Sequence, residues 1–243
     1  MMARFYILLI CLLVSSPLSA QWIDFNAAPR TSLWASSVFK ETLGGKVVSY
    51  GPEALFDRDS STPWVEAAEG DGLGENVIVL LQSAVTNMKI INGFAASERL
   101  FKLNNRPKTL KLTLLAGLTA PGLVSETDYV LYFIKEFPIN ERISLKDSMA
   151  EQQFGFPMDS LKQMDLYRGA INQFREDFPD FFNMISLDLD FESNSELSDA
   201  DYSLIMEIFG FYALKLTIAD VYRGDLYSDT CISELAVDLE PFF

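Results

Sequence analysis

Polar and apolar residues alternate strictly along several stretches of the chain. Between Lys108 and Ala116, Leu110, Leu112 and Leu114 fall on one face and Thr109, Lys111 and Thr113 on the other. Tyr212–Ile218 sets Leu214, Leu216 and Ile218 against Ala213, Lys215 and Thr217, and near the C-terminus Ser233, Leu235, Val237 and Leu239 share a face. A period of two marks a half-buried strand, because successive side chains leave a pleated backbone on opposite sides. Val77–Leu81, Met88–Phe94 and Tyr129–Phe137 are apolar runs of strand length, bounded by Gly, Asn, Asp or Pro. Many short strands separated by turns predict an all-β sandwich or barrel.

Residues 159–209 follow another rhythm. Met164, Tyr167, Ile171, Phe174, Phe178, Phe181 and Ile185 recur every three or four residues, the stripe of an amphipathic helix. Pro179 is expected to kink or restart it, since proline lacks the N–H that the helix needs. Ser198 followed by Asp201 reads as a capping box for a second helix, and Gly210 as its stop. The expectation is a helical insertion at about 159–209 between two late strands, its stripe packed on the sandwich. A protein partner docking on this insertion is the alternative. Internal repeats and low-complexity linkers are absent from the sequence.

Residues 1–20 have the three-part layout of a secretory signal peptide: Arg4, an apolar run from Phe5 to Val14, then small and turn-forming residues ending in Ala20. Cleavage is expected after Ala20, with Ser16 as the alternative; Cys11, deep in the apolar run, reads as an ordinary apolar position. The run is too short to span a bilayer, and no second long one follows, so no membrane span is predicted. The expected location is beyond the inner membrane: periplasmic, on the cell surface or secreted. Residues 21–243 then form one domain with a single cysteine, Cys231, expected to be buried.

Composition narrows the chemistry. The 243 residues are 49% hydrophobic, enough for a substantial core, and carry a net charge of −15. Without residues 1–20, whose only charged residue is Arg4, the 19 basic residues fall to 18 against 34 acidic ones. Such a field repels nucleic acid and anionic headgroups, and suits cations or uncharged ligands such as glycans. There is no histidine. That removes the Ser–His and Cys–His nucleophile pairs and the commonest metal ligand.

Four stretches stand out together: Leu55-Phe56-Asp57-Arg58-Asp59-Ser60-Ser61-Thr62-Pro63-Trp64-Val65-Glu66; Gly70-Asp71-Gly72-Leu73-Gly74-Glu75; Ile91-Asn92-Gly93-Phe94 with Phe101 and Asn104-Asn105-Arg106-Pro107-Lys108; and Asp220-Val221-Tyr222-Arg223-Gly224 with Asp229-Thr230-Cys231-Ile232-Ser233-Glu234. In this order they resemble the discoidin-like domain associated with bacterial NAD glycohydrolases. More broadly they are similar to the coagulation-factor type C and galactose-binding-like jelly rolls. The resemblance covers about residues 32–157 and 211–239. It implies a mainly β, discoidin-like jelly-roll sandwich, glycan binding and a role in toxin translocation. No part of the chain resembles the NAD-cleaving domain itself.

Candidate site residues follow. Asp57, Asp59 and Thr62 offer oxygens within one turn, and the resemblance implies that Glu234 arrives from the C-terminal strand; such hard oxygens suit Ca²⁺. The competing reading is that Asp57 and Thr62 cap the turn through local hydrogen bonds. Trp64 is a candidate platform for a sugar ring, or else a core residue closing the sandwich. Glu66, Asn92, Asn104, Asn105, Arg106 and Asp229 are candidate hydroxyl partners on loops gathered at one end. No cofactor is required on this reading, and the function expected is a non-catalytic module binding a glycan or a glycosylated surface. The enzymatic alternative is a glycosidase or NAD glycohydrolase with Glu66 and Glu234 as acid and base. Gly70–Glu75 lacks the lysine of a phosphate loop and precedes a strand. Asp188, Asp190, Glu192, Asn194, Glu196 and Asp199 have EF-hand-like spacing, but Ser193 stands where glycine is wanted, so an acidic solvated loop is expected.

Overall fold

The computed structural model describes residues 22–27, 33–81, 83–123 and 130–241. The signal-peptide expectation falls on residues outside them. In chain order the strands are β1 (Ile23–Ala27), β2 (Leu33–Ala35), β3 (Lys40–Leu43), β4 (Lys46–Ser49), β5 (Trp64–Val65), β6 (Asn76–Leu81) and β7 (Ala84–Asn92). After helix α1 (Glu98–Leu103) come β8 (Arg106–Leu118), β9 (Val130–Ser144) and β10 (Gln152–Gly155). Helices α2 (Ser160–Asp177), α3 (Pro179–Asp188) and α4 (Asp199–Phe209) precede β11 (Gly210–Tyr222) and β12 (Cys231–Glu240).

Two antiparallel sheets make the sandwich. The larger runs β1-β9-β8-β11-β6-β2 and the smaller β10-β7-β12-β5, while β3 and β4 form a separate hairpin. Each period-two stretch lies in a strand, with its apolar set between the sheets except for Leu239, which is 44% exposed near the end of β12. Leu110, Leu112 and Leu114 of β8 and Leu214, Leu216 and Ile218 of β11 are all at most 2% exposed; they face Met88 and Ile90 of β7 and Leu235 of β12. The hairpin turns on Gly44 and Gly45, at φ +56° and +80°, a pairing that suits the twist of a two-residue turn.

The insertion lies between β10 and β11. Phe178, at φ −133°, breaks the predicted long helix in two, and Pro179 opens α3 at the position where its missing N–H costs nothing. The Ser198–Asp201 capping box is present at α4. Tyr167, Ala170, Ile171, Phe174, Phe182 and Ile185 join the same core as the sandwich, so the stripe packs inward. Gln163, fully buried, accepts from the N–H of Val85 at 2.9 Å and donates to its carbonyl at 2.8 Å, tying α2 to the start of β7. The helices therefore meet the end of the sandwich where β7 and β11 begin and β8 ends. Among the described residues no helix is long and apolar enough to cross a membrane.

Candidate functional site

At the other end, β7 and β11 finish and β6, β8 and β12 begin. The structure gathers most of the predicted site residues here, but as internal fastenings. Glu66 is 0% exposed; its two carboxylate oxygens accept from the N–H of Thr230 at 2.9 Å and of Ala68 at 2.7 Å. Gly72 (φ +68°) lies so close that a Cβ there would meet the Glu66 carboxyl at 2.6 Å. Asn92, also 0% exposed, donates to the carbonyl of Pro107 at 2.8 Å and accepts from the N–H of Gly93. Asn104 donates to the carbonyl of Leu100 at the end of α1. Asn105 donates to Ser228 O and Asp71 Oδ1 and accepts from the N–H of Gly224, joining three loops. Arg106 grips Asp147 with two hydrogen bonds of 2.7 Å.

These are corrections to the expected ligand set. Glu66, Asn92, Asn104, Asn105 and Arg106 have their polar atoms turned inward and paired, which is what buried polar groups require. Trp64 is 0% exposed with its Nε1–H on the carbonyl of Ser37, so it offers no ring face to a sugar. Asp229 alone of the set is partly open to solvent; its carbonyl accepts from the N–H of Asn105. With Glu66 sealed in, it and Glu234 do not form an accessible acid–base pair. Cys231 is buried, and burial pushes its thiol well up.

The Asp57–Thr62 turn is likewise self-contained. Asp57 accepts from the N–H of Asp59 and the hydroxyl of Thr62; Asp59 accepts from the N–H and hydroxyl of Ser61. The oxygens expected to ligate Ca²⁺ are thus holding the turn, and among the described residues no three acidic side chains converge to hold a metal ion. That includes the 188–199 loop, where Asp199 pairs with Arg168.

Glu234 is different. A bulge at Ser233 shifts the register between β12 and β7, and the Ser233 hydroxyl is buried on the carbonyl of Gly93. With Ile232 in the core, strict alternation would bury Glu234 too; the bulge turns it to the outer face of the smaller sheet. One carboxylate oxygen there is shut off from solvent without a hydrogen-bond partner, while the backbone N–H of Arg58 serves the carboxylate. Burial, and then Asp57 and Asp59 nearby, push this carboxyl up.

Glu234 lines a concavity of about 290 Å³ on that outer face, with Arg58 and Ser60 from the turn, Lys89 and Ile91 from β7, Glu151 just before β10, and Leu235 and Ala236 beside it on β12. Of these, the sequence pointed only to Glu234. The signal that could have found the others is the outward half of two alternating strands, Lys89 and Ile91 against Glu234 and Ala236.

The carboxyls of Glu66, Asp229 and Glu234 are all raised, burial being the first cause in each. A carboxyl raised in the folded state favours folding while protonated. Its contribution is full below the ordinary carboxylate range and is lost as pH climbs through the raised value. Thermal stability is therefore expected to rise as pH falls from neutral toward that range. Glu234→Gln should flatten the profile there; a slope identical to that of the parent protein in a calorimetric pH series would refute the assignment.

The family comparison agrees with this architecture. Residues 30–238 match the family described as the NAD glycohydrolase translocation F5/8 type C domain. No curated protein matches. Among solved structures the chain is similar to a truncated AlyQ with CBM32 and alginate lyase domains, at 10% identity and a TM-score of 0.30, over 89% of this chain and 34% of that one. The chain thus spans about a third of that protein's length. With the match running through both sheets and the helical insertion between them, the chain belongs to the NAD glycohydrolase translocation F5/8 type C domain family.

Proposed function

We propose that this protein is a non-catalytic module that recognises carbohydrate outside the cytoplasm, through the outer-face concavity rather than the loop end. The observation that carries the reading is the concavity itself: Arg58, Lys89 and Ser60 supply donors, and Glu151 and Glu234 acceptors, around an aliphatic patch at Ile91. A sugar presents hydroxyls that donate and accept, plus an apolar C–H face, so a site with both kinds of polar group around apolar surface is complementary to it. The floor is two paired strands, which holds the groups in place before binding and lowers the ordering cost. Membership of a translocation-associated type C family supports a binding role, and the sealed Glu66 speaks against the carboxylate-pair enzyme.

The test is a glycan array probed with the purified chain, in calcium and in chelator. Selective binding is expected, retained in chelator and weakened by Glu234→Gln and Glu151→Gln. A silent array under both conditions, or binding indifferent to both substitutions, would defeat the reading.

A further inference from the structure

We infer that the outer-face site takes a linear oligosaccharide rather than a single sugar, with one unit in the concavity and the next laid along β7 as far as Asn87; this rests on the carbohydrate reading above. Outward positions on a strand recur every second residue, about 7 Å apart. On β7 they are Ile91, Lys89 and Asn87, each half-buried, alternating with the core residues Ile90 and Met88. The strand register builds a row across the sheet at each. Glu234 of β12 lies opposite Ile91, and Glu151, just before β10, lines the same concavity. Ala236 and Gln153 flank Lys89, and Asp238 and Gly155 flank Asn87.

The concavity draws its lining from the first two rows only, with the Arg58–Ser60 turn beside Glu234. Its volume of about 290 Å³ is at the bottom of the range of about 300–1,000 Å³ for small-molecule sites, so it holds little beyond one sugar unit. Away from the turn the same face continues without cover: Gln153, Gly155, Ala236 and Asp238 are all exposed. From Ile91 to Asn87 it runs about 13 Å along β7. The outer face of the larger sheet offers no such surface. There Leu115, Ile134, Phe211 and Ala213, each at most 7% exposed, form a second apolar cluster with Ile78, Leu80 and Tyr132 packed against it.

The continuation repeats the chemistry of the concavity. Asp238 accepts hydrogen bonds, as Glu151 and Glu234 do, and the amides of Asn87 and Gln153 both donate and accept, which suits the hydroxyls of a second and third sugar. Gly155 separates this row from an ordinary solvated face. Its φ is not positive and a Cβ there would meet nothing within 4 Å, so neither the backbone nor the packing asks for glycine. Strands are depleted in glycine, and where one stands in a strand a ligand or another backbone often comes close. Ala236, on the other side of β7, keeps β12 low between Glu234 and Asp238. The two short positions leave the sheet surface open to a chain, with polar side chains standing at the positions between them.

The experiment titrates the full chain with cello-, manno-, chito- and malto-oligosaccharide ladders, each from monosaccharide to hexasaccharide. On at least one ladder the trisaccharide is expected to bind about tenfold more tightly than the monosaccharide, the scale of one or two added hydrogen bonds. Gly155→Trp fills open space on the face, and Asp238→Ala removes an acceptor from its last row. Each should remove the gain with length while the melting temperature stays in place; the monosaccharide, which reaches only the concavity, is the control. Equal affinity along a bound ladder would overturn the oligosaccharide inference and leave the carbohydrate reading standing, as would silence on every ladder beside a positive glycan array. Silence on the ladders and on the array together would overturn both. A gain with length that survives both substitutions would also defeat the inference, because the added units would then lie elsewhere.

Discussion

Arg106→Met is expected to cost about 3 kcal/mol of folding stability, the lower end of the range for breaking a buried ion pair. Arg106 opens β8 and is 7% exposed. Its Nε and Nη2 hold the two oxygens of Asp147 at 2.7 Å each; its Nη1 reaches the carbonyls of Asn104 at 3.0 Å, Phe101 at 3.3 Å and Arg223 at 3.4 Å. The guanidinium lies 4.8 Å from the centre of the Phe101 ring. One side chain thus ties the end of α1, the segment after β9 and the end of β11 to the first residue of β8. Methionine keeps the bulk but leaves three carbonyls and a carboxylate without a donor. Asp147 is 41% exposed at its side chain and rehydrates, which is why the lower end of the range applies. For a chain of this size the melting temperature should fall by about 6–12 °C. Arg106→Lys should recover only part, because an ammonium cannot reproduce the fork. Chemical denaturation decides the matter: unchanged stability with lost ligand binding would return Arg106 to the list of contact residues.

The same residue shows where sequence reading succeeds and where it stops. Alternation at Leu110–Leu114, Leu214–Ile218 and Leu235 identified strands because burial on one face leaves a local, periodic trace. The insertion was legible for the same reason, and the Ser198–Asp201 cap because its chemistry is complete within four residues. Strands β5 and β10 are too short to show a period, and the Gly44-Gly45 pair was the available sign of the β3–β4 hairpin. For the site, residue type was misleading. Asn92, Asn105 and Arg106 attract notice as polar residues near turns, but an inward and an outward asparagine are the same letter. What separates them is a partner far along the chain: Asp147 lies 41 residues from Arg106, and Thr230 lies 164 from Glu66. The concavity was hidden for a related reason. Lys89, Glu151 and Glu234 meet only through the pairing of β7 with β12 on one side and β10 on the other, a register that no single stretch of sequence carries.

Trp64→Ala is expected to cost about 3–5 kcal/mol, the range for removing a large aromatic from a packed core. Trp64 forms half of the two-residue β5, lies opposite Ile232 of β12, and is among the largest side chains at 0% exposure. Its indole N–H donates to the carbonyl of Ser37 at 3.1 Å, which anchors the segment leading into the β3–β4 hairpin. Truncation therefore opens a cavity and orphans a carbonyl at once, and a domain of ordinary stability has only about 5–15 kcal/mol to lose. Trp64→Phe separates the two effects. It keeps most of the ring volume and deletes the donor, so its cost should be about 1–2 kcal/mol, with binding at the outer-face concavity intact wherever the protein is folded. A ligand platform would behave in the opposite way: both substitutions would leave the melting curve in place and remove binding. The two pictures differ in the observable that moves first, because a side chain inside the sandwich can affect ligand only by way of the fold, whereas one on the surface can lose the ligand and leave the fold untouched.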